Sequence, residues 1–302
     1  MKKILVFLTT LALLLQMGGT LAFAEDGEQT ATLTVVYKAE ELLFDGLEIS
    51  LFRVADIGAD GAYTLSGDFK DYPVDVKVVK SQEEWRTIAT TLTAYIVADG
   101  ISPAATVKTD EEGKAVFEGL SNGLYLVYGA QSEKNDLIYS FESFFSSLPR
   151  PDADGNPQYE VTALPKHTTH VPEPDEIEYK VVKQWKDSGS DKRPTSIEIE
   201  IFKDGKTVET QTLSAENNWS YSWKAADDGS KWTVVERNIA ENYTVSVTEE
   251  GTAFIVTNTF KTVIPPPPTG DVAVVWPYVL VLFSVGAILM LLSVGIKRKA
   301  ND

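Results

Sequence analysis

Strict alternation of apolar and polar residues is the feature of this 302-residue sequence that most limits its fold. The stretch SIEIEIFKDGKTVETQTL, residues 196–213, places Ile197, Ile199 and Ile201 two residues apart and then carries Asp-Gly. A period of two puts these isoleucines on one face of a strand, and Asp-Gly favours a tight hairpin. The pattern continues in NNWSYSW, KWTVVE, NYTVSV and FIVTNTF. Seven short strands without a helical pattern predict a small β-sandwich over residues 178–261.

A second β-rich region, residues 31–166, precedes it. The runs ATLTVVY and GLEISLFRVADI indicate strands, and Asn122-Gly123 between two further runs indicates a hairpin. One helix is expected from Ser81 to about Ala98, because Ser81 and Glu84 have capping-box spacing. One face of this helix is apolar, with Trp85, Ile88, Leu92, Tyr95 and Ile96. The region is predicted to be a first β-sandwich with one inserted helix.

The joining and terminal segments complete the predicted organisation. Residues 167–177 are polar and contain proline, which favours a short linker. Two lysines, an apolar run and LAFAED predict a signal peptide, residues 1–24, cut after Ala24. Residues 272–296 carry no charge and are long enough to cross a bilayer as a helix. The basic tail, residues 297–302, would stay cytoplasmic.

The sequence therefore predicts an all-β exported protein. It comprises two tandem β-sandwich domains, the first with one helix, and a C-terminal transmembrane helix. The family resemblances described below imply sandwiches of the Ig-like or prealbumin-like kind.

Composition excludes several kinds of site. The chain has no cysteine, which excludes disulfides, thiolate zinc sites and a cysteine nucleophile. Its two histidines, His167 and His170, both lie in the proline- and threonine-bearing stretch, so no metal site, cofactor or Ser-His-Asp triad is expected. A net charge of −17 at pH 7 argues against nucleic acid or anionic lipid as a partner.

Three polar residues stand among apolar neighbours in the second region: Lys183 in YKVVKQWKD, Glu236 in WTVVE and Asn258 in IVTNTF. A buried lysine is costly unless it is paired or neutral. The anchors VVKQW, KRPTSIEIEIFKDGK, NNWSYSW, WTVVE, NYTV and VTNTF resemble the Cna B-type domain of collagen adhesins across nearly all of residues 178–261. This resemblance implies an intramolecular isopeptide bond between Lys183 and Asn258, formed with the help of Glu236.

The first region resembles the SpaA-like N-terminal domains of Gram-positive pilin subunits, through GLEISLFRVADI, FEGLSNGLYLV and YEVTALPKH. Lys38 occupies a first-strand position that could serve a second cross-link. However, GLYLVYGA has no acid and QYEVTALP has no asparagine. No isopeptide bond is therefore expected in this domain.

YEVTALPKH also resembles the pilin motif, although Leu164 and His167 stand where that motif has tyrosine and asparagine. The resemblance implies that a sortase joins Lys166 to the sorting threonine of the next subunit. The alternative, an ordinary solvated lysine, remains equally open.

The C-terminal region, residues 262–302, resembles a Gram-positive cell-wall sorting signal, in which PPPTG precedes an apolar span and a basic tail. Pro266 stands where leucine is usual, and the motif continues with Pro267, Pro268, Thr269 and Gly270. This layout implies that a sortase cuts between Thr269 and Gly270 and transfers Thr269 to peptidoglycan or to a pilin lysine. The apolar helix would then hold the chain at the membrane only until the cut.

The resulting hypothesis is a structural pilin subunit, not an enzyme, at the cell surface and joined to the wall. Its expected partners are sortase, other pilin subunits or peptidoglycan, and host extracellular matrix. A monomeric adhesin that binds host matrix or glycans is the alternative. A glycosidase with paired carboxylates is disfavoured because the acids are scattered along turns and solvent-facing positions.

Overall fold

The computed structural model of the chain describes residues 29–77, 79 and 81–261, and this part is mostly β with a single α-helix. The predicted signal peptide, sorting motif and membrane helix lie outside the described residues. Within the described ranges, no helix combines the length and apolarity needed to cross a membrane.

Fifteen strands occupy the described chain up to residue 170. They are β1 (Ala31–Val36), β2 (Lys38–Ala39), β3 (Leu42–Leu43), β4 (Glu48–Ile57), β5 (Tyr63–Leu65), β6 (Ala105–Lys108), β7 (Lys114–Leu120), β8 (Gly123–Val127), β9 (Gln131–Lys134), β10 (Leu137–Phe141), β11 (Phe144–Leu148), β12 (Arg150–Pro151), β13 (Pro157–Gln158), β14 (Glu160–Ala163) and β15 (His167–His170). Two sheets dominate, with the orders β14-β1-β7 and β11-β8-β4-β5, and β6 also pairs with β4. A short 3-10 helix spans Gly67–Phe69.

Seven strands follow and form the C-terminal sandwich. They are β16 (Glu173–Lys186), β17 (Ser196–Lys203), β18 (Lys206–Ser214), β19 (Ser220–Asp227), β20 (Trp232–Arg237), β21 (Tyr243–Glu250) and β22 (Ala253–Phe260), with a 3-10 helix at Ala215–Asn217. The sheet orders are β19-β16-β22-β21 and β18-β17-β20. The Asp204-Gly205 turn joins β17 to β18, and both residues have the positive φ that a type I′ hairpin requires.

The helix α1 (Gln82–Asp99) is the one that the sequence predicts. The Ser81 hydroxyl accepts a hydrogen bond from the Glu84 amide at 3.1 Å, and Gly100 ends the helix in the left-handed conformation. The apolar face is buried as expected, with Ile88, Leu92, Tyr95 and Ile96 all buried and Trp85 half-buried.

The buried face of α1 joins a core that spans both halves of the chain. This core contains α1, one face of the sheet formed by β4 and β8, and the interior of the C-terminal sandwich. All five residues of β8 are buried because Leu124 and Leu126 face this core, while Tyr125 and Val127 face a second core inside the N-terminal sheets. A strand covered on both faces reads as a continuous apolar run, which explains the sequence GLYLV.

The first half of the chain also covers an open edge of the C-terminal sandwich. Strand β21 ends its sheet, and an unpaired edge strand presents free amide groups to solvent or to other chains. Here the Val247 amide donates to the Thr91 hydroxyl of α1 at 2.8 Å, and the Val245 amide donates to the Pro73 carbonyl at 2.8 Å. These contacts satisfy edge groups that a solitary sandwich would leave open.

Replacing Thr91 with valine should therefore lower the free energy of unfolding by about 1–3 kcal/mol, because the buried Val247 amide loses its acceptor. Thr93 offers a matched control on the same helix. It is also buried, but its hydroxyl has no hydrogen-bond partner in the described part of the chain. Urea denaturation of Thr91→Val and Thr93→Val checks the prediction, and equal midpoints for the two variants would contradict it.

The predicted hairpin at Asn122-Gly123 is wrong. Strand β7 pairs with β1, whereas β8 pairs with β11 and β4, so the chain crosses from one sheet to the other at this point. Neither residue adopts a left-handed φ. The glycine is required for close approach instead, because a Cβ at Gly123 would lie 2.9 Å from Arg53 Nε and 3.2 Å from the Ala55 carbonyl oxygen.

Residues 167–177 are also more regular than an irregular linker. His167–His170 form β15 and pair with β10, and β16 begins at Glu173. The His170 imidazole lies 2.6 Å from a carboxylate oxygen of Asp227 on β19. The segment is therefore tied to the sheets on either side of it, because extended backbone next to a sheet edge finds hydrogen-bond partners there. The domain boundary itself stays a prediction.

Candidate functional site

Lys183, Glu236 and Asn258 meet inside the C-terminal sandwich. Lys183 lies on β16 and Asn258 on the parallel neighbour β22, where Lys183 is opposite Val256 and Asn258 is opposite Trp185. A two-residue offset keeps both side chains on the inner face. Glu236 comes from β20 in the facing sheet, where Trp232, Val234 and Glu236 alternate inward.

The Glu236 carboxyl bridges the other two groups. One carboxyl oxygen, Oε1, accepts a hydrogen bond from Asn258 Nδ2 at 2.7 Å, and the other, Oε2, lies 3.1 Å from Lys183 Nζ. The Lys183 and Glu236 side chains are at most 1% exposed. Lys183 Nζ also donates to the carbonyls of Gln184 at 3.3 Å and Val256 at 3.4 Å. The Asn258 Oδ1 atom has no partner among the described residues.

Burial shifts both titrations of the pair toward the neutral forms. Loss of solvation lowers the pKa of the Lys183 amine to about 8, against the opposing attraction of Glu236. Loss of solvation likewise raises the pKa of the Glu236 carboxyl, although Lys183 and Asn258 act in the opposite direction. These shifts reduce the free-energy difference between the ion pair and the neutral pair, in which the Lys183 amine is uncharged and the Glu236 carboxyl is protonated.

Beside Lys183 lies a cluster of side chains that the sequence did not predict, formed by Trp185, Arg193, Asp187 and Tyr243. Lys183 Nζ stands 4.4 Å from the centre of the Trp185 ring, and the Arg193 guanidinium lies 5.1 Å from the same ring. Asp187 pairs with Arg193 at 2.6 Å and accepts a hydrogen bond from the Tyr243 hydroxyl at 2.9 Å. The bond from Arg193 lowers the pKa of the Asp187 carboxyl. In the sequence, only QWKD, directly after Lys183, could have indicated this cluster.

This arrangement can support amide exchange. A neutral lysine amine is a nucleophile, and a carboxyl that contacts both the amine and the amide nitrogen can move a proton from one to the other. Fixed together in a dry core, the groups would react with the large effective molarity of an intramolecular step. Within the described ranges, no cluster of three or more histidine, aspartate or glutamate side chains is suited to hold a metal.

The lysines considered for other roles are both exposed. Lys166 lies between β14 and β15, and its carbonyl accepts a hydrogen bond from the Glu142 amide at 2.9 Å. Its backbone is thus held while its side chain faces solvent. Lys38 is exposed on β2, opposite Leu43. The remaining predicted residues, Ala24, Pro266, Pro267, Pro268, Thr269 and Gly270, lie outside the described part of the chain.

Comparison with known proteins identifies the C-terminal sandwich. Residues 179–259 match the family model of the Cna protein B-type domain, which confirms the prediction for this part of the chain. A collagen adhesin of Staphylococcus aureus is 32% identical over 135 residues, which cover 38% of this chain and 11% of that protein. The chain thus spans only a small part of this curated relative.

Several solved structures that align with this chain come from Gram-positive surface proteins. A single B repeat unit of the S. aureus collagen-binding protein is 18% identical, with a TM-score of 0.28, over 77% of this chain and 98% of that one. The shaft pilin SpaA of Lactobacillus rhamnosus GG is 14% identical, with a TM-score of 0.26, over 78% and 100%. The major pilin SpaD of Corynebacterium diphtheriae is 16% identical, with a TM-score of 0.29, over 78% and 66%. TM-scores this low support no inference about function.

Proposed function

We propose that this protein is an exported Gram-positive surface protein, a pilin subunit, whose C-terminal sandwich closes itself with an isopeptide bond between Lys183 and Asn258. The observation that supports this proposal best is the bridging carboxyl of Glu236, which contacts the amine on one side and the amide nitrogen on the other. The match to the Cna protein B-type domain supports it independently.

The chemistry balances without a co-reactant. The lone pair of neutral Lys183 Nζ attacks Asn258 Cγ, and the bond between Cγ and Nδ2 breaks. Glu236 takes a proton from Nζ through Oε2 and supplies one to Nδ2 through Oε1, so that ammonia leaves and the carboxyl ends in its starting state. The product is a secondary amide that joins β16 covalently to β22.

The intact mass of the folded protein tests the bond. The protein should weigh about 17 Da less than its sequence, the mass of one ammonia lost in the intramolecular step. Lys183→Ala should restore the full mass expected for that variant. Lys180→Ala is the matched control, because Lys180 is an exposed lysine on the same strand and its loss should leave the cross-link intact. A full mass in the unsubstituted protein would refute the proposal.

Assembly and anchoring form the second part of the proposal. The exposed Lys166 is accessible to an acyl-enzyme on another molecule, as transfer to a neighbouring subunit requires. A sortase would cut between Thr269 and Gly270 and transfer Thr269 to Lys166 of the next subunit or to peptidoglycan. The residue 272–296 segment would then act as a transient membrane anchor.

A monomeric adhesin is the second candidate, and the 32% identity to a collagen adhesin favours it. The two candidates differ in the wall: a pilin forms covalent multimers through Lys166, whereas an adhesin stays monomeric and binds a host ligand such as collagen. Neither candidate is an enzyme with turnover of a foreign substrate.

A further inference from the structure

The last turn of α1 makes hydrogen bonds to β20, the strand that carries Glu236. The Tyr95 hydroxyl donates to the Glu236 carbonyl oxygen at 3.4 Å in a buried contact. Asp99 accepts a hydrogen bond from Arg237 at 2.7 Å and another from the Tyr72 hydroxyl at 2.5 Å. Tyr95 and Asp99 thus hold two consecutive residues of β20 from outside the sandwich.

Strand β20 needs such support because it ends its sheet. It pairs with β17 on one side only, where Ile199 is opposite Glu236. On its other side, the described contacts of the Glu236 carbonyl come from α1. The Glu236 side chain must reach across the interior to atoms on β16 and β22, so any sliding of β20 moves the carboxyl away from both.

We propose that Tyr95 and Asp99 are positioning residues for the isopeptide bond: through the Glu236 carbonyl and the Arg237 guanidinium they hold the Glu236 carboxyl between Lys183 and Asn258. This inference rests on the proposed function. It assigns to a helix of the first half of the chain a role in a reaction inside the second half.

Because Tyr95 and Glu236 are both buried where α1 contacts β20, we expect the docked helix to keep water away from the reacting groups. Lys183 of β16 is the charged side chain that contacts Glu236, while Asp187 and Arg193 stand beyond Lys183. From α1, Tyr95 adds a neutral phenol whose pKa burial raises further, and Arg237 on β20 is neutralised by Asp99 and Glu200. If the contacts of Tyr95 and Asp99 with β20 weaken and water enters the site, the pKa of Glu236 falls and the pKa of Lys183 rises toward their ordinary values.

The pH dependence of the reaction follows from these directions. The amine and the carboxyl together hold one transferable proton in the reactive state, so the rate is constant between the two macroscopic pKa values and falls outside them. Hydration of the site would lower the plateau, because the neutral pair becomes rarer. It would also widen the pH range over which the rate is constant. The pKa that limits the rate at acidic pH would fall, and the pKa that limits it at alkaline pH would rise.

The experiment follows the loss of about 17 Da with time in the full chain made by cell-free synthesis, at a series of pH values. The test variant is Tyr95→Phe/Asp99→Asn. Its matched control is Tyr125→Phe/Asp56→Asn. Tyr125 is a buried tyrosine that donates to the Ser121 carbonyl, and Asp56 accepts from Arg53 and from the Ser66 hydroxyl, so that these contacts lie within the first half of the chain.

We expect the test variant to react roughly tenfold more slowly, with the widened plateau, because a small misplacement of a catalytic group costs one to two orders of magnitude. The control should match the unsubstituted chain. Tyr95→Phe alone keeps the ring packed and should show a smaller slowing and a correspondingly smaller widening in the same direction, even if the double variant folds poorly.

Three outcomes separate the possibilities. An unchanged rate and pH profile overturns the positioning role. A slower rate with an unchanged pH profile also overturns it. A variant that only destabilises the fold would lower the rate without shifting the pH values at which the rate falls. No mass loss in the unsubstituted chain refutes the isopeptide bond itself.

Discussion

Glu236→Gln is expected to leave the C-terminal sandwich folded but without its cross-link, and to lower its free energy of unfolding by about 4 kcal/mol. Glutamine keeps the size of the side chain and its contact with Asn258, but it cannot pass a proton from Lys183 to the leaving nitrogen. Without the bond, the chain between residues 183 and 258 regains conformational freedom in the unfolded state, which is the main source of stabilisation by a cross-link.

Urea denaturation followed by tryptophan fluorescence, together with intact mass, measures this effect, since Trp185, Trp219, Trp223 and Trp232 all lie in the sandwich. Glu198→Gln on β17 is the matched control, because that glutamate is exposed and its neutralisation should change neither mass nor stability appreciably. Retention of the cross-link in Glu236→Gln would contradict the proton-transfer role.

Lys166→Arg is expected to abolish covalent multimers of this protein in wall extracts of its native host. Arginine keeps the charge and the exposed position, but its guanidinium stays protonated and cannot attack an acyl-enzyme. An immunoblot of wall extract should therefore show a ladder for the native protein and a single band for the variant.

Lys38→Arg provides the control for this experiment, because Lys38 is an exposed strand residue of the same half of the chain and should leave the ladder intact. A ladder that persists in Lys166→Arg would eliminate this lysine as the acceptor. A single band in the native protein would favour the monomeric adhesin instead.

Local patterns in the sequence predicted several elements of the fold correctly. Alternation at Ile197, Ile199 and Ile201 marks a strand with one buried face, and Asp204-Gly205 marks its turn. Ser81 and the apolar spacing behind it predict α1 to within a residue at each end. These features depend on neighbours a few residues apart, which is why the sequence alone suffices for them.

A prediction that needed knowledge of sheet partners was wrong. Asn122-Gly123 looks like a hairpin because the local dipeptide favours one, but β7 and β8 belong to different sheets. The assignment of residues 167–177 as a linker stays a prediction, although strands β10 and β19 pair with parts of this polar segment. Strand pairing is decided by distant segments, so a local signal can be overridden.

For the candidate site, the sequence by itself determined which residues are present: a lysine, a glutamate and an asparagine, each at an inward position of a strand. Only the tertiary structure decided that Glu236 bridges the other two and that α1 covers the edge beside it. The physical reason is the separation of the contacting residues along the chain. The Tyr95–Glu236 and Thr91–Val247 contacts join residues 141 and 156 positions apart, and no periodicity in the sequence encodes such a distance.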